Sequence, residues 1–318
     1  MNPAPVLNYT AFKAPLFFAW QLTSVCNLGC LHCCEESGHI MPDELKGKEV
    51  LNVCRQIINL KIPYVAISGG EPMLHPDFFA VCELLRKAQI NLKVETNGLF
   101  IDREKARRFA RLMFRSVQVS LDGATKEAHE RLRENGDWEK TVQATKLLVK
   151  AGVNTEIVFV PTKFNYAEIG DLIDLAYSLG IYGVYTGKIM RIGRAALNWE
   201  RLCPSDEEYK VLFNILEKKS HQYNGKMKIF YYPYDVIEEL KYRLKYPAAS
   251  LLVIPNGKVK LIGPLPFVCA DLKKHSLKEA WERYKLAWKN PEVLSFAQKV
   301  IRDPRLLAQS NRWRELDS

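Results

Sequence analysis

The stretch Phe17-Phe18-Ala19-Trp20-Gln21-Leu22-Thr23-Ser24-Val25-Cys26-Asn27-Leu28-Gly29-Cys30-Leu31-His32-Cys33 joins an apolar run to a loop crowded with cysteine. The run reads as a strand. Thiolates on one short loop can all face one metal centre, and three of them leave a four-iron cluster one iron short of a protein ligand. An iron left open is a position for chemistry. The alternative is a structural zinc site with Cys34 as the fourth sulfur. Zinc sites usually draw their ligands from two separated knuckles, and this chain has no second knuckle. Cys34 then reads as a small packed residue.

Outward from that loop, short β-branched runs alternate with amphipathic stretches, the pattern of βα units around a parallel sheet. Strands are expected near 17–23, 63–68, 91–96, 115–120, 154–160 and 182–189. Helices are expected near 43–60, 77–88, 103–112, 138–151 and 166–179. In parallel barrels the loops at the strand C-termini build the site, and the polar motifs fall there. Ser68-Gly69-Gly70-Glu71-Pro72 follows the second strand, with glycines that permit close backbone approach and a carboxylate able to meet an ammonium group. Glu95-Thr96-Asn97-Gly98 and Ser120-Leu121-Asp122-Gly123 end the third and fourth strands, where small polar side chains can hydrogen-bond a ribose or a carboxylate.

The cysteine spacing resembles the CxxxCxxC signature of the radical S-adenosylmethionine (SAM) enzymes, with His32 where an aromatic residue is usual. The resemblance implies a 4Fe–4S cluster on Cys26, Cys30 and Cys33, whose open iron binds SAM and, once reduced, cleaves it to methionine and a 5′-deoxyadenosyl radical. It implies that Gly69, Gly70, Glu71 and Pro72 form the motif that receives the SAM amino group. His32, Thr96, Asn97, Ser120, Asp122 and Arg133 are the other positions matching the SAM site, with Ser120 and Arg133 near the methionine carboxylate. His129 is expected to orient the loop, while Thr162, Asn165 and Gly193-Arg194 match less specifically. The implied fold is α/β, a partial (β/α)6 TIM-like barrel over residues 16–195, preceded by a segment at 1–15.

After Arg194 the pattern changes. Ser205 and Glu208 form a capping signature, a strand-like stretch covers 226–230, and Asp235 to Lys245 reads as helical. Leu251-Leu252-Val253-Ile254-Pro255-Asn256-Gly257-Lys258-Val259-Lys260 reads as a hairpin closed by a tight Asn-Gly turn, and Ser276 opens a last helix. Residues 196–318 resemble the small α+β SPASM extension of peptide maturases, whose cysteines normally hold auxiliary clusters. Here Lys260-Leu261-Ile262 stands where relatives carry cysteine, and no cysteine lies between Cys203 and Cys269. A single cluster and a SPASM-like scaffold or lid follow. Cys269 is the candidate to return a hydrogen atom to a substrate radical, as in radical SAM epimerases.

Composition excludes several classes. The chain of 318 residues is 47% hydrophobic and 26% charged, with no low-complexity segment. Met1 to Pro15 lacks a signal-peptide pattern, no apolar run reaches spanning length, and eight cysteines suit a reducing compartment, so a cytoplasmic protein without a membrane partner is expected. The net charge of +10 is spread beside Glu and Asp. That distribution favours an acidic electron carrier such as flavodoxin or ferredoxin over nucleic acid. The reaction expected is hydrogen-atom abstraction from a peptide or small natural product, leading to epimerisation, cross-linking or dehydrogenation. The lack of room before Phe17 for a leader-recognition domain leaves a sugar substrate open. A tRNA-modifying enzyme and a non-catalytic zinc-binding protein are the alternatives.

Overall fold

The computed structural model describes residues 8–316. The expected N-terminal segment therefore lies partly outside the described residues, at 1–7. The chain then alternates β1 (Phe17–Thr23), α1 (Lys48–Asn59), β2 (Tyr64–Gly69), α2 (Phe78–Lys87), β3 (Asn91–Thr96), α3 (Arg103–Leu112) and β4 (Ser116–Ser120). Two helices, α4 (Lys126–Leu132) and α5 (Trp138–Lys150), lead to β5 (Thr155–Phe159), α6 (Ile169–Ser178) and β6 (Gly183–Gly187). These six strands are parallel and lie in chain order, the α/β architecture expected of a partial barrel.

Alternation along each strand separates two environments. Phe18, Trp20 and Leu22 of β1, Val65 and Ile67 of β2, Leu92 and Val94 of β3, and Val117 and Val119 of β4 pack into one apolar core. Ile157 and Phe159 of β5 and Val184 of β6 enter a second core with α6. Each such side chain removed from water contributes roughly 1.5–3 kcal/mol. The intervening residues form the other face, and many of them are polar: Gln21, Ser68, Lys93, Glu95, Gln118, Ser120, Glu156 and Tyr185. Contacts across strands show that they share that face. Lys93 Nζ lies 3.0 Å from Glu156 Oε2, Gln118 Nε2 donates to the same oxygen at 3.3 Å, and the Tyr185 hydroxyl meets Glu156 Oε1 at 3.4 Å. A barrel usually fills this space with branched apolar side chains.

The helix expected to start near 43 begins at Lys48. Asp43 and Gly47 have φ angles of 61° and 55°, which interrupt it, and Glu44 is engaged elsewhere, as described below. Beyond β6 come α7 (Arg194–Leu197), α8 (Trp199–Leu202), α9 (Asp206–Gln222), β7 (Lys228–Tyr232), α10 (Val236–Lys245), β8 (Ser250–Val253), β9 (Lys258–Lys260), β10 (Phe267–Asp271), α11 (Leu277–Ala287), α12 (Pro291–Arg302) and β11 (Arg314–Glu315). The expected cap is in place, Ser205 with Glu208, and Ser276, which opens the last-helix segment, forms the same capping box with Glu279.

The C-terminal strands extend the same sheet. β7 pairs parallel with β6, from Gly183 opposite Lys228 to Gly187 opposite Tyr232. On the far side β8 pairs parallel with β1, and β9, β10 and β11 continue outward. The hairpin turns at Asn256-Gly257 as expected, but only one of the two residues takes the positive φ that the dipeptide favours. Ile254 N–H donates to the Lys258 carbonyl at 3.0 Å, enclosing Pro255, Asn256 and Gly257, and of these only Gly257 has positive φ, 85°. Proline at the first position favours a type I turn, and the left-handed glycine closes a three-residue loop.

Candidate active site

The cysteine loop leaves the C-terminal end of β1 and is fastened on every side. At its start, Glu44 accepts from Ser24 N–H at 2.8 Å and from the Ser24 and Thr23 hydroxyls. Although burial opposes it, these donors hold the Glu44 carboxyl below its ordinary value. Gly70 N–H donates to Thr23 O at 2.7 Å and Glu71 N–H to Val25 O at 2.8 Å. A Cβ on Gly70 would lie 2.2 Å from the Val25 carbonyl oxygen, so glycine is required for the second strand's loop to cross the first. Midway, Gly29 and Leu31 N–H groups donate to the Glu134 and Leu132 carbonyls at 3.0 and 2.9 Å. At its end, Arg194 donates from N–H to Cys33 O, from Nε to Cys30 O at 2.9 Å and from Nη1 to Ser37 O at 2.6 Å. Gly193, with φ of 59°, packs directly on the Cys33 and Cys34 carbonyls.

This loop forms one wall of a cavity of about 440 Å³ at the strand C-termini. Cys26, Cys30 and Cys33 all line it, with His32, Gly69, Gly70, Thr96, Asn97, Ser120 and Arg133 from the expected set. Asn97 also ties the strand end to the cysteine loop, its Nδ2 donating to Asn27 Oδ1 at 2.8 Å. Arg133 lies 3.6 Å from Cys30 Sγ through Nη1. Burial pushes the Cys26 thiol up to about 11 and raises Cys30, and the neighbouring cysteines add to both shifts. Three thiols on one cavity wall, with Cys26 and Cys30 raised in pKa, are a donor set that binding of a cationic centre would ionise.

Three expected contacts sit beneath the cavity instead of lining it. Glu71 is fully buried and accepts from the Thr96 hydroxyl at 2.9 Å, Asn97 N–H at 2.9 Å and Met73 N–H at 3.2 Å. Burial pushes its carboxyl up to about 7, against the pull of those donors. It pins the third strand end and is not among the side chains that line the cavity. Pro72 opens the short 3-10 turn that Glu71 caps. Asp122 is also fully buried: Oδ2 meets Arg133 Nε at 2.7 Å and His32 Nε2 at 3.1 Å, and Oδ1 accepts from Val160 N–H at 2.8 Å. Despite its burial, Arg133 and then His32 hold its carboxyl well below the usual carboxylate range. Asp122 therefore aims the two side chains that do line the cavity.

His129 accepts Asp122 N–H on Nδ1 at 3.1 Å, and burial followed by Arg133 lowers its pKa to about 4. A neutral imidazole that orients the loop is what that bond requires. Thr162 and Asn165 bind each other, and Asn165 Nδ2 donates to Asp122 O at 2.8 Å, so they brace the fourth and fifth strand ends outside the cavity. Cys269 corrects the expectation of a hydrogen-returning thiol. It lies on β10 in the apolar core, Sγ 3.4 Å from Val259 O, and is absent from the cavity wall. Burial pushes that thiol up to about 12. Cys34, read as a packed residue, is half-buried and lines the cavity. The reading from sequence also passed over Gln21, Glu95, Tyr185 and Lys188 as parts of the wall. The alternation along β1, β3 and β6 was the signal for the first three.

Among the described residues, no three His, Cys, Asp or Glu side chains converge as single-ion ligands. Three thiols spread around one cavity suit a polynuclear cluster, in which each cysteine takes a different iron, better than a tetrahedral zinc ion. The residues present therefore fit a 4Fe–4S cluster, with Arg133 and the polar strand ends available for SAM. The profile of the radical SAM superfamily matches residues 20–176. A mycofactocin maturase of Mycobacterium ulcerans is 35% identical over 213 residues, 66% of this chain and 57% of the relative. The chain spans little more than half the length of the mycofactocin maturases it matches, between 53% and 57%. An AdoMet-dependent heme synthase of Methanosarcina barkeri is 25% identical over 93% of this chain and 87% of the relative. The fold is shared with Streptococcus suis SuiB bound to its precursor peptide SuiA, at a TM-score of 0.71 and 16% identity over 90% of this chain and 70% of that one. The chain is a member of the radical SAM superfamily, whose enzymes use a 4Fe–4S cluster and SAM.

Proposed function

We propose that this protein abstracts a hydrogen atom from a peptide substrate, using one 4Fe–4S cluster on Cys26, Cys30 and Cys33 and a molecule of SAM. The observation that carries the reading is the single cavity that gathers those thiols with Arg133 and the polar ends of β2, β3 and β4. When bound, the cluster and SAM supply a carbon radical able to attack an unactivated C–H bond. The chain itself binds, orients and excludes water. Asp122 fixes the Arg133 guanidinium for a carboxylate, while Ser68, Thr96, Asn97 and Ser120 offer hydrogen bonds. Leu28, Val158, Phe159 and Ile189 keep the wall partly dry. The resemblance to peptide maturases supports the peptide substrate.

One cluster is favoured because Cys203 and Cys269 sit in different apolar cores. Residues 196–318 serve as scaffold in this reading, since β8 borders β1 and Asn311 Nδ2 donates to Cys34 O at 2.8 Å. Reducing equivalents come from an acidic carrier such as flavodoxin or ferredoxin, and the eight free cysteines favour the cytoplasm. A second reading, a tetrapyrrole substrate, is favoured by the match to a heme synthase along nearly the whole of both chains. Incubation of the reconstituted enzyme with dithionite, SAM and candidate peptides or porphyrins, followed by assay of 5′-deoxyadenosine, separates the two. Peptide-stimulated formation is expected, and stimulation by porphyrin alone would overturn the first reading.

A further inference from the structure

The inner face of the barrel carries more negative charge than its own cations neutralise. Its deeper layer is closed: Lys93 is taken by Glu156 at 3.0 Å, and Gln118 and Tyr185 bond to the same carboxylate. Lys93 also lies 4.7 Å from the centre of the Tyr185 ring. Two residues further along β3, towards the mouth, Glu95 lines the cavity. Among the described residues it has neither a salt bridge nor a hydrogen bond within contact distance. The cations of the cavity wall are committed elsewhere: Arg133 to Asp122, Arg194 to the Cys30 and Ser37 carbonyls, and Lys188 over the Tyr209 ring. A second unmet group stands on the same wall. Thr186 of β6 is nine-tenths buried, and among the described residues its hydroxyl has no hydrogen-bond partner. Leaving such groups unpaired away from bulk water is costly, so a site built around them gains most from a ligand that supplies the missing donors.

We propose that Glu95 is a substrate-recognition residue that receives a protonated amine or a guanidinium of the substrate, with Thr186 as a lesser polar contact. Burial, opposed by Lys93 and reinforced by Glu156 and Glu35, raises the Glu95 carboxyl above its ordinary value. A cation delivered by the ligand reverses that shift, which couples binding to ionisation. The proposal rests on the peptide reading for the form of the substrate, a segment with a lysine- or arginine-like group inserted into the barrel, but not for the charge it carries.

The test is calorimetric titration of the reconstituted, SAM-loaded protein with acetyl-Gly-Lys-Gly-amide and its norleucine counterpart, and with n-butylammonium against n-butanol. The lysine peptide is expected to bind at least about tenfold tighter than the norleucine peptide, a difference of about 1.4 kcal/mol. Glu95→Gln is expected to abolish that discrimination without changing the visible absorbance of the cluster, and Glu95→Asp to retain part of it. If n-butylammonium shows the Glu95-dependent preference and neither peptide does, the carboxylate site stands and the peptide reading fails. Equal binding of all charged and neutral probes to the unsubstituted protein overturns the proposal, as does a preference that survives Glu95→Gln.

Discussion

Cys30 sits 3.6 Å from an Arg133 nitrogen on a loop that walls the barrel cavity, whereas Cys269, further along the same sheet, faces a carbonyl in the apolar core at 3.4 Å. Both are buried and both thiols are raised by burial. What separates them is company. Around Cys30 stand two more thiols, a guanidinium aimed by Asp122, and a backbone tied down by Arg194. Around Cys269 stand the Val259 carbonyl, Leu316 and a lone Arg283 whose Nε is taken by the Cys269 carbonyl, with no second thiol among the described residues there. Burial alone makes a thiol inert, and convergence with other donors and with fixed charge makes it a ligand. In the proposed reading the barrel end is the site, and the outer strands support it.

The comparison breaks most readily at the cysteines. Cys30→Ala is expected to remove essentially all cluster absorbance after anaerobic reconstitution, while Cys269→Ala keeps it and lowers stability by about 1–2 kcal/mol in denaturant unfolding. Loss of the cluster in the Cys269 variant would show that the outer strands take part in the chemistry. Asp122→Asn comes next in size. It leaves the Arg133 guanidinium buried without its counter-ion, which costs roughly 3–5 kcal/mol. A change below about 1 kcal/mol in the unfolding free energy from urea titration would mean that Asp122 is not the group holding Arg133.

Glu71 gives a pH signature. Its folded value, about 7, lies above the ordinary 4.5. Its contribution to stability is therefore fully present below about pH 4.5 and is lost as pH rises through about 7, by roughly 3 kcal/mol. Urea unfolding from pH 5 to pH 8 should show that decline, and Glu71→Gln should flatten it. An identical slope in the variant would assign the decline to another group. Asp122 acts with the opposite sign, since its folded value is depressed: its contribution is present above its ordinary 3.8 and is lost as pH falls below that. The smallest effect belongs to the outer hairpin. Gly257→Ala forces a left-handed φ on alanine and presses its Cβ to 3.1 Å from Leu45, for a cost of about 1 kcal/mol with the cluster unchanged.

The strands of the barrel were legible because Phe17 to Leu22 is a short apolar run and Leu92 and Val94 alternate with Asn91, Lys93 and Glu95 in the way a two-sided sheet demands. The cysteine loop was legible because its spacing is local. Which side of a strand end a carboxylate faces is not local. Glu71 and Asp122 occupy positions suited to a ligand, yet each turns beneath the cavity because backbone N–H groups and Arg133 compete for it. Glu95, two residues from Lys93, was on the inner face by the same alternation that revealed the strand. The pairing of β8 with β1 could not be read from either segment, because an apolar strand does not specify its neighbour. The same limit applies to Cys269, whose place depends on that pairing.

Iron and acid-labile sulfide per chain after anaerobic reconstitution test the central claim, that one cluster is held by Cys26, Cys30 and Cys33 and none by the C-terminal third. The account predicts about four irons per chain, falling to near zero in Cys30→Ala. About eight irons per chain, or a Cys30→Ala variant that keeps about half of its iron, would contradict it.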